Sequence, residues 1–234
     1  RTTADDVSGS GPDYRSGVDA RQVIESNGLV AILRGVPPAA VLATGRALVN
    51  GGVRALEVTF DAPFEPNADT LAAIETLVSE HGDTVCVGAG TVLSVRQVQA
   101  AAGAGARFIV SPNVNIEVVT ATRRLGLASI PGAMTPSECL TAFEAGASMV
   151  KLFPVSVLSP AYIRAVRSPL PWLPLVAVGG VNLHNAKQWI EAGANAVGVG
   201  GELVSPHALA HGDYAAIATI ARQLTDLVAE AKSA

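Results

Sequence analysis

The chain has 234 residues, a formal net charge of −4, 49% apolar residues and 15% charged ones. That balance supplies ample core material and lacks the basic bias of a nucleic-acid binder, so a protein acting on small molecules is expected. No stretch of about 20 apolar residues runs without a Gly, a Pro or a charge, so no membrane contact is expected. No basic segment followed by an apolar one marks the start, and a cytoplasmic location follows as the expectation.

In chain order, residues 1–18, with "TTADDVSGSGPDY", are polar and rich in Gly and Ser, and read as a mobile tail. Residues 19–234 read as one domain. From Leu29 onward a β-rich run, a turn and an Ala/Leu/Val-rich stretch of helical spacing recur, closed each time by glycine. The expected strands are "LVAIL" (29–33), "ALEVTF" (55–60), "VCVGAG" (85–90), "RFIVSP" (107–112), "ASIPG" (128–132), "MVKLFP" (149–154), "LVAVGG" (175–180) and "AVGVGG" (196–201). Most are apolar on both faces, the pattern of parallel strands with helices on one side and core on the other. Glycines in "NGG" (50–52), "GAGA" (103–106), "LGL" (125–127) and the two "EAGA" stretches (144–147, 191–194) mark helix ends. "TPSE" (135–138), "SVRQV" and "SPAYI" read as capped helix starts, and Asp213 as the cap of a last helix over 213–231. Eight such units in about 200 residues predict an α/β fold, a single (β/α)8 barrel, in preference to an open doubly wound sheet.

In such barrels the chemistry gathers at the C-terminal ends of the strands. Those ends carry Arg34, Glu57 and Asp61, Thr91, Pro112 and Asn113, Lys151 and Phe153, Gly179 and Gly180, and Gly200 and Gly201. Lys151 stands out, because the run "ASMVKLFPVS" around it is otherwise apolar. Strand periodicity puts Met149, Lys151 and Phe153 on one face, and if that face points inward the amine lies in the barrel mouth. A desolvated amine has a lowered pKa and is nucleophilic, the state that condenses with a ketone; a stem packed at a strand end with its amine in water is the plainer alternative. Glu57 in "ALEVTF" poses the same puzzle with opposite sign. It reads as a general acid and base beside that amine, or as half of a buried ion pair. "AVGG" and "GVGG" offer backbone N–H groups where barrels often hold phosphate. "GAGTVL" (88–93) lacks the dinucleotide fingerprint and reads as a strand end that leaves room for substrate, with Thr91 offering a hydroxyl. Cys86 and Cys139 are far apart, with no CxxC, so neither a disulfide nor a zinc site is expected. The four histidines form no cluster at a strand tip, and no metal is expected on them.

Taken in order, "VAILRG" (30–35), "ALEVTF" (55–60), "VGAGTVL" (87–93), "FIVSPN" (108–113), "IPGAMTPSE" (130–138), "VKLFP" (150–154) and "AVGGV" (177–181) resemble the 2-keto-3-deoxy-6-phosphogluconate/4-hydroxy-2-oxoglutarate aldolase family. The resemblance implies a class I aldolase with no cofactor and no metal, which reversibly cleaves a 2-keto-3-deoxy-6-phospho sugar acid to pyruvate and glyceraldehyde 3-phosphate. It makes Lys151 the Schiff-base lysine and Glu57 the acid and base acting through a water. Thr91 would hold the pyruvate carboxylate, and Pro112 and Phe153 would wall the pyruvyl pocket. The loops at Gly179–Gly180 and Gly200–Gly201 would bind phosphate, and the assembly would be a homotrimer. Two positions depart from the family pattern. Gly201 stands where many members have serine, and Asp61 where phosphogluconate-type members commonly have a carboxylate-binding arginine. Arg34 offers the replacement guanidinium, as in the 2-keto-3-deoxy-6-phosphogalactonate branch, which "SPAYIRAV" also resembles. The alternatives are an aldolase for an unphosphorylated acid such as 4-hydroxy-2-oxoglutarate, an isomerase or epimerase using Glu57 for enolisation, and a barrel that binds pyruvate without turnover.

Overall fold

The computed structural model describes residues 19–82 and 84–233, so the tail expected over 1–18 lies outside the described residues. The elements run α1 (Ala20–Asn27), β1 (Leu29–Leu33), α2 (Val41–Asn50), β2 (Ala55–Thr59), α3 (Ala68–His81), β3 (Cys86–Gly90), α4 (Val95–Gly103) and β4 (Phe108–Val110). They continue with α5 (Ile116–Arg124), β5 (Ala128–Ile130), β6 (Gly132–Ala133), α6 (Pro136–Glu144), β7 (Val150–Leu152), α7 (Pro160–Arg167), β8 (Leu175–Val178), α8 (Ala186–Glu191), β9 (Ala196–Val199), α9 (Pro206–His211) and α10 (Tyr214–Ser233). Short 3-10 turns precede α2 and α7, at Pro38–Ala40 and Val155–Val157.

The nine strands form one parallel sheet whose two ends are β5 and β6. These are halves of the single strand expected over 128–132, parted at Pro131, which has no N–H to give to a ladder. Pro131 nevertheless accepts from the backbone N–H of Lys151 at 2.9 Å, and Ser129 accepts from Ser148 at 2.8 Å, so the barrel closes through this strand. The expected (β/α)8 architecture is present, with its fifth strand split.

Alternation along the strands sorts the apolar residues into two cores. Leu29, Ala31, Leu56, Val87, Ile109, Val150 and Leu175 point outward and pack under the helices. Val30, Ile32, Ala55, Phe108, Ile130, Met149 and Val176 fill the barrel, with Phe153 packed against them. Ile24 of α1, fully buried in this inner core, stoppers the end where the strands begin. The sequence reading had no helix there.

Each expected glycine joint is a left-handed turn. Gly52, Gly105, Gly126, Gly146 and Gly193 have φ between 74° and 110°. After each, the next N–H reaches back into the helix, as from Ala147 to Ala142 O at 3.0 Å and from Ala194 to Trp189 O at 3.1 Å. This closure satisfies a carbonyl at the helix end and turns the chain toward the next strand. At the helix starts, Thr135 and Glu138 form a reciprocal capping box, Ser94 caps α4, and Asp213 accepts from Ala216 N. Ser159 precedes α7 without a side-chain cap bond, where Pro160 at the first turn removes one N–H in need of a partner. No helix among the described residues is long and apolar enough to cross a membrane.

Candidate active site

Lys151 is central to β7, with Val150 and Leu152 turned to the helices and Met149 and Phe153 facing the barrel interior beside it. The lysine is 5% exposed, and its Nζ lies 4.6 Å from the centroid of the Phe153 ring. Burial pushes the ammonium pKa down, Glu57 pulls it up, and Arg34 adds to the lowering. Glu57 on β2 is 2% exposed. Its carboxyl pKa is raised, first by burial, with Lys151 and then Arg34 acting against the rise. Among the described residues the two form no ion pair within 4.0 Å, so each is coupled to the other across a gap instead of being neutralised by it. A neutral amine and a proton-bearing carboxyl are the forms this burial favours.

Two contiguous groups surround them. On one side Phe153 packs over Gly179, where an added methyl would lie 3.1 Å from the ring, and Gly180 lies against Ser156. Pro112 follows β4 and lies beside Gly132, whose missing side chain lets the Pro112 carbonyl approach; a methyl there would be 2.4 Å from that oxygen. Gly132 is the register partner of Lys151, so the tip of β4 is drawn to the lysine strand. On the other side the exposed Arg34 donates from Nη2 to Thr91 Oγ1 at 3.1 Å. Thr91 has φ 56°, a left-handed conformation that costs a β-branched residue on the order of 1–3 kcal/mol. Thr91 directly follows Gly90, over which the Glu57 carboxylate lies.

Gly200 and Gly201 follow β9 beside β1: Gly200 lies near Ile32, and a methyl on Gly201 would meet nothing within 4 Å. Asp61 is not part of the interior. It lines a separate cleft of about 210 Å³ with Gly35, Val36, Thr59, Asn67 and Asp69, between β1, β2 and the helices outside them. Asn113 is exposed at the rim. Sequence reasoning took Gly90 only as part of a strand end that leaves room for substrate and passed over Gly132; glycine within an otherwise apolar strand was the available signal. Cys86 lies in the barrel core and Cys139 on the buried face of α6, both free, and burial raises the Cys139 thiol to about 11. His207 and His211, one turn apart on α9, stack at 4.3 Å. Among the described residues no group of three or more His, Cys, Asp or Glu could hold a metal ion.

The family model described as "Aldolase: KDPG and KHG aldolase" matches residues 21–220. The chain is 40% identical over 176 residues to the 2-dehydro-3-deoxy-6-phosphogalactonate aldolase of Escherichia coli (strain K12), covering 75% of this chain and 83% of the relative. It is also 40% identical over 196 residues to the probable 2-dehydro-3-deoxy-6-phosphogalactonate aldolase of Rhizobium meliloti (strain 1021), covering 82% and 90%. A solved structure called "Native KDPGal structure" superposes with a TM-score of 0.80 at 36% identity, over 88% of this chain and 96% of that one.

Proposed function

Because the chain belongs to the KDPG and KHG aldolase family it is a carbon–carbon lyase of the pyruvate-dependent class, and we propose that Lys151 and Glu57 perform its chemistry. The reaction is cleavage of a 2-keto-3-deoxy-6-phospho sugar acid, with pyruvate as the ketone product. The observation that carries the assignment is an amine 5% exposed on the inward face of β7, its charge disfavoured by burial, with a buried carboxyl in the same interior.

The neutral Lys151 amine attacks the C2 carbonyl to form a carbinolamine. Glu57 donates a proton to the departing hydroxyl, water leaves, and a protonated imine remains. Glu57, now a carboxylate, takes the proton of the C4 hydroxyl through a water. The C3–C4 bond breaks, its electron pair flows to the imine nitrogen, and the aldehyde departs. The resulting enamine is protonated at C3, and water hydrolyses the imine to release pyruvate and the free lysine. Arg34 and Thr91 hold the substrate carboxylate, a role suited to a guanidinium fork and a hydroxyl. Pro112 and Phe153 wall the pyruvyl group. The Gly179–Gly180 and Gly200–Gly201 loops take the phosphate on backbone N–H groups, and because Gly201 has no hydroxyl the backbone carries that contact alone. Asp61 is exposed and an acid cannot pair with a carboxylate, which supports Arg34 as the carboxylate ligand. A homotrimer is the assembly we propose, resting on the family resemblance, and the cytoplasm is the location we propose from the sequence.

The test is to incubate the protein with pyruvate and borohydride, weigh it and map the adduct. A reduced pyruvyl adduct on Lys151, lost in Lys151→Met, is expected. Turnover without that adduct overturns the assignment, and enolisation by Glu57 is favoured where that turnover isomerises or epimerises the substrate instead of cleaving it.

A further inference from the structure

Glu57 belongs to β2, yet its carboxylate lies over the neighbouring strand. A methyl built on Gly90, the last residue of β3, would stand 1.9 Å from Glu57 Oε1, 2.6 Å from its Cδ and 2.7 Å from its Cγ. The register partner of Glu57 is Gly88, and that of Thr59 is Gly90. The glutamate therefore leans past its register partner toward the mouth end of β3. At Gly88 the space is already taken, since a methyl there would be 2.5 Å from the Phe108 ring. Phe108 below and an open Gly90 above direct the carboxyl upward, to the level where Arg34 meets Thr91.

Gly90 cannot back away from an added side chain. Its carbonyl accepts from Phe60 N at 2.9 Å, and two residues on Val92 N donates to Val110 O at 3.1 Å. Between these bonds Thr91 is held in its left-handed conformation. If residue 90 acquires a Cβ, the group that moves is the far end of a flexible glutamate.

We propose that Gly90 is a positioning residue, its bare Cα the seat that holds the Glu57 carboxyl in reach of the substrate oxygens. The proposal rests on the reading of Glu57 as the acid and base. Proton transfer needs the carboxyl within about 2.6–3.2 Å of its target, directly or through one water. A misplacement of about 1 Å costs on the order of 100-fold.

The experiment is a double-mutant cycle of Gly90→Ala and Glu57→Gln on the intact enzyme, reading kcat, KM and exchange of the pyruvate methyl protons with deuterated solvent. Gly90→Ala is expected to lower kcat and methyl exchange roughly 10- to 100-fold. KM should be retained, and the borohydride adduct should still form on Lys151, though more slowly, because Glu57 also assists loss of water from the carbinolamine. In the Glu57→Gln background the same substitution should cost almost nothing further, because the function it disturbs is already gone. Undiminished kcat in Gly90→Ala overturns the proposal, as does an equal loss in both backgrounds. Full activity in Glu57→Gln alone removes the premise instead, and so separates failure of the Glu57 assignment from failure of the seat. If Gly90→Ala does not fold, combining it with Glu57→Ala vacates the overlap. Recovery of the fold then supports the seat, and continued misfolding places the clash in the backbone and overturns it.

Discussion

Lys151 and Glu57 each sit where burial disfavours their charge, and each is the other's largest opposing influence. The sign of every neighbour's effect on the amine is therefore defined. The Glu57 carboxylate raises the Lys151 pKa and the Arg34 guanidinium lowers it. Covalent capture of pyruvate requires the neutral amine, so its rate should climb with pH at values below the ordinary lysine range. Replacing Glu57 by Gln should move that rise to lower pH, and replacing Arg34 by Met should move it to higher pH. Trapping rates measured from pH 5 to 10 check this, and shifts in the same direction for both variants would refute the coupling. The linked effect on stability has the sign of a lowered pKa. Between the folded and unfolded values of Lys151 the unfolded chain binds more protons, so stability rises with pH across that window. For Glu57, raised by burial, the folded chain binds more protons, so stability falls as pH rises from the ordinary carboxylate range to the folded value. Both residues were legible in the sequence because a charge in a run such as "MVKLF" or "ALEVTF" has few innocent explanations. Gly90 was legible only as part of a strand end with room beside it, because a missing side chain does not say which neighbour fills its space.

At the scale of elements, the joints between helices and strands were the most readable feature, because one residue type meets one backbone requirement. Gly193 has φ 110°, whereas Gly103, the last residue of α4, is absent from the positive-φ glycines and has nothing within 4 Å of an added methyl. Identical substitutions should therefore have opposite effects. Gly193→Ala should destabilise by about 1–3 kcal/mol through backbone strain. Gly103→Ala should stabilise by about 0.4–1 kcal/mol, because the unfolded chain loses freedom while the folded one accepts the methyl. Urea unfolding of both variants tests the pair, and destabilisation by Gly103→Ala would show that space and φ do not govern these joints. The strand ends were less readable. "MVKLFP" and "RFIVSP" each shorten to three paired residues, since proline at the tip stops the ladder and the last apolar side chains serve the mouth. The fifth strand read as one run and is two, because a pattern of apolar residues does not report where Pro131 interrupts the hydrogen bonds.

For the whole molecule, the barrel separates stability from chemistry along its axis. The end where strands begin is closed by α1, with Ile24 fully buried against an interior that includes Ala55, Cys86 and Ala196. The opposite end leaves a buried amine, a buried carboxyl and a strained threonine, all unfavourable for folding and none of them needed to close the barrel. Substitution at the two ends should then separate the two properties. Ile24→Ala removes three methyl-sized groups from a closed core and should cost about 2–5 kcal/mol. For a chain of this size that lowers Tm by on the order of 10 °C. Its kcat/KM, measured at a temperature where the variant is folded, should match the parent, since the strands between Ile24 and the mouth hold their own ladder. Lys151→Met should show the converse, with no turnover and a Tm at least equal to the parent, because an ammonium that burial disfavours is exchanged for an apolar chain of similar length. A large loss of kcat/KM in Ile24→Ala would mean that the inner core transmits the position of the stopper to the mouth. Packing among Phe108, Ile130 and Met149, the side chains that fill the barrel between them, would then be part of the active-site support.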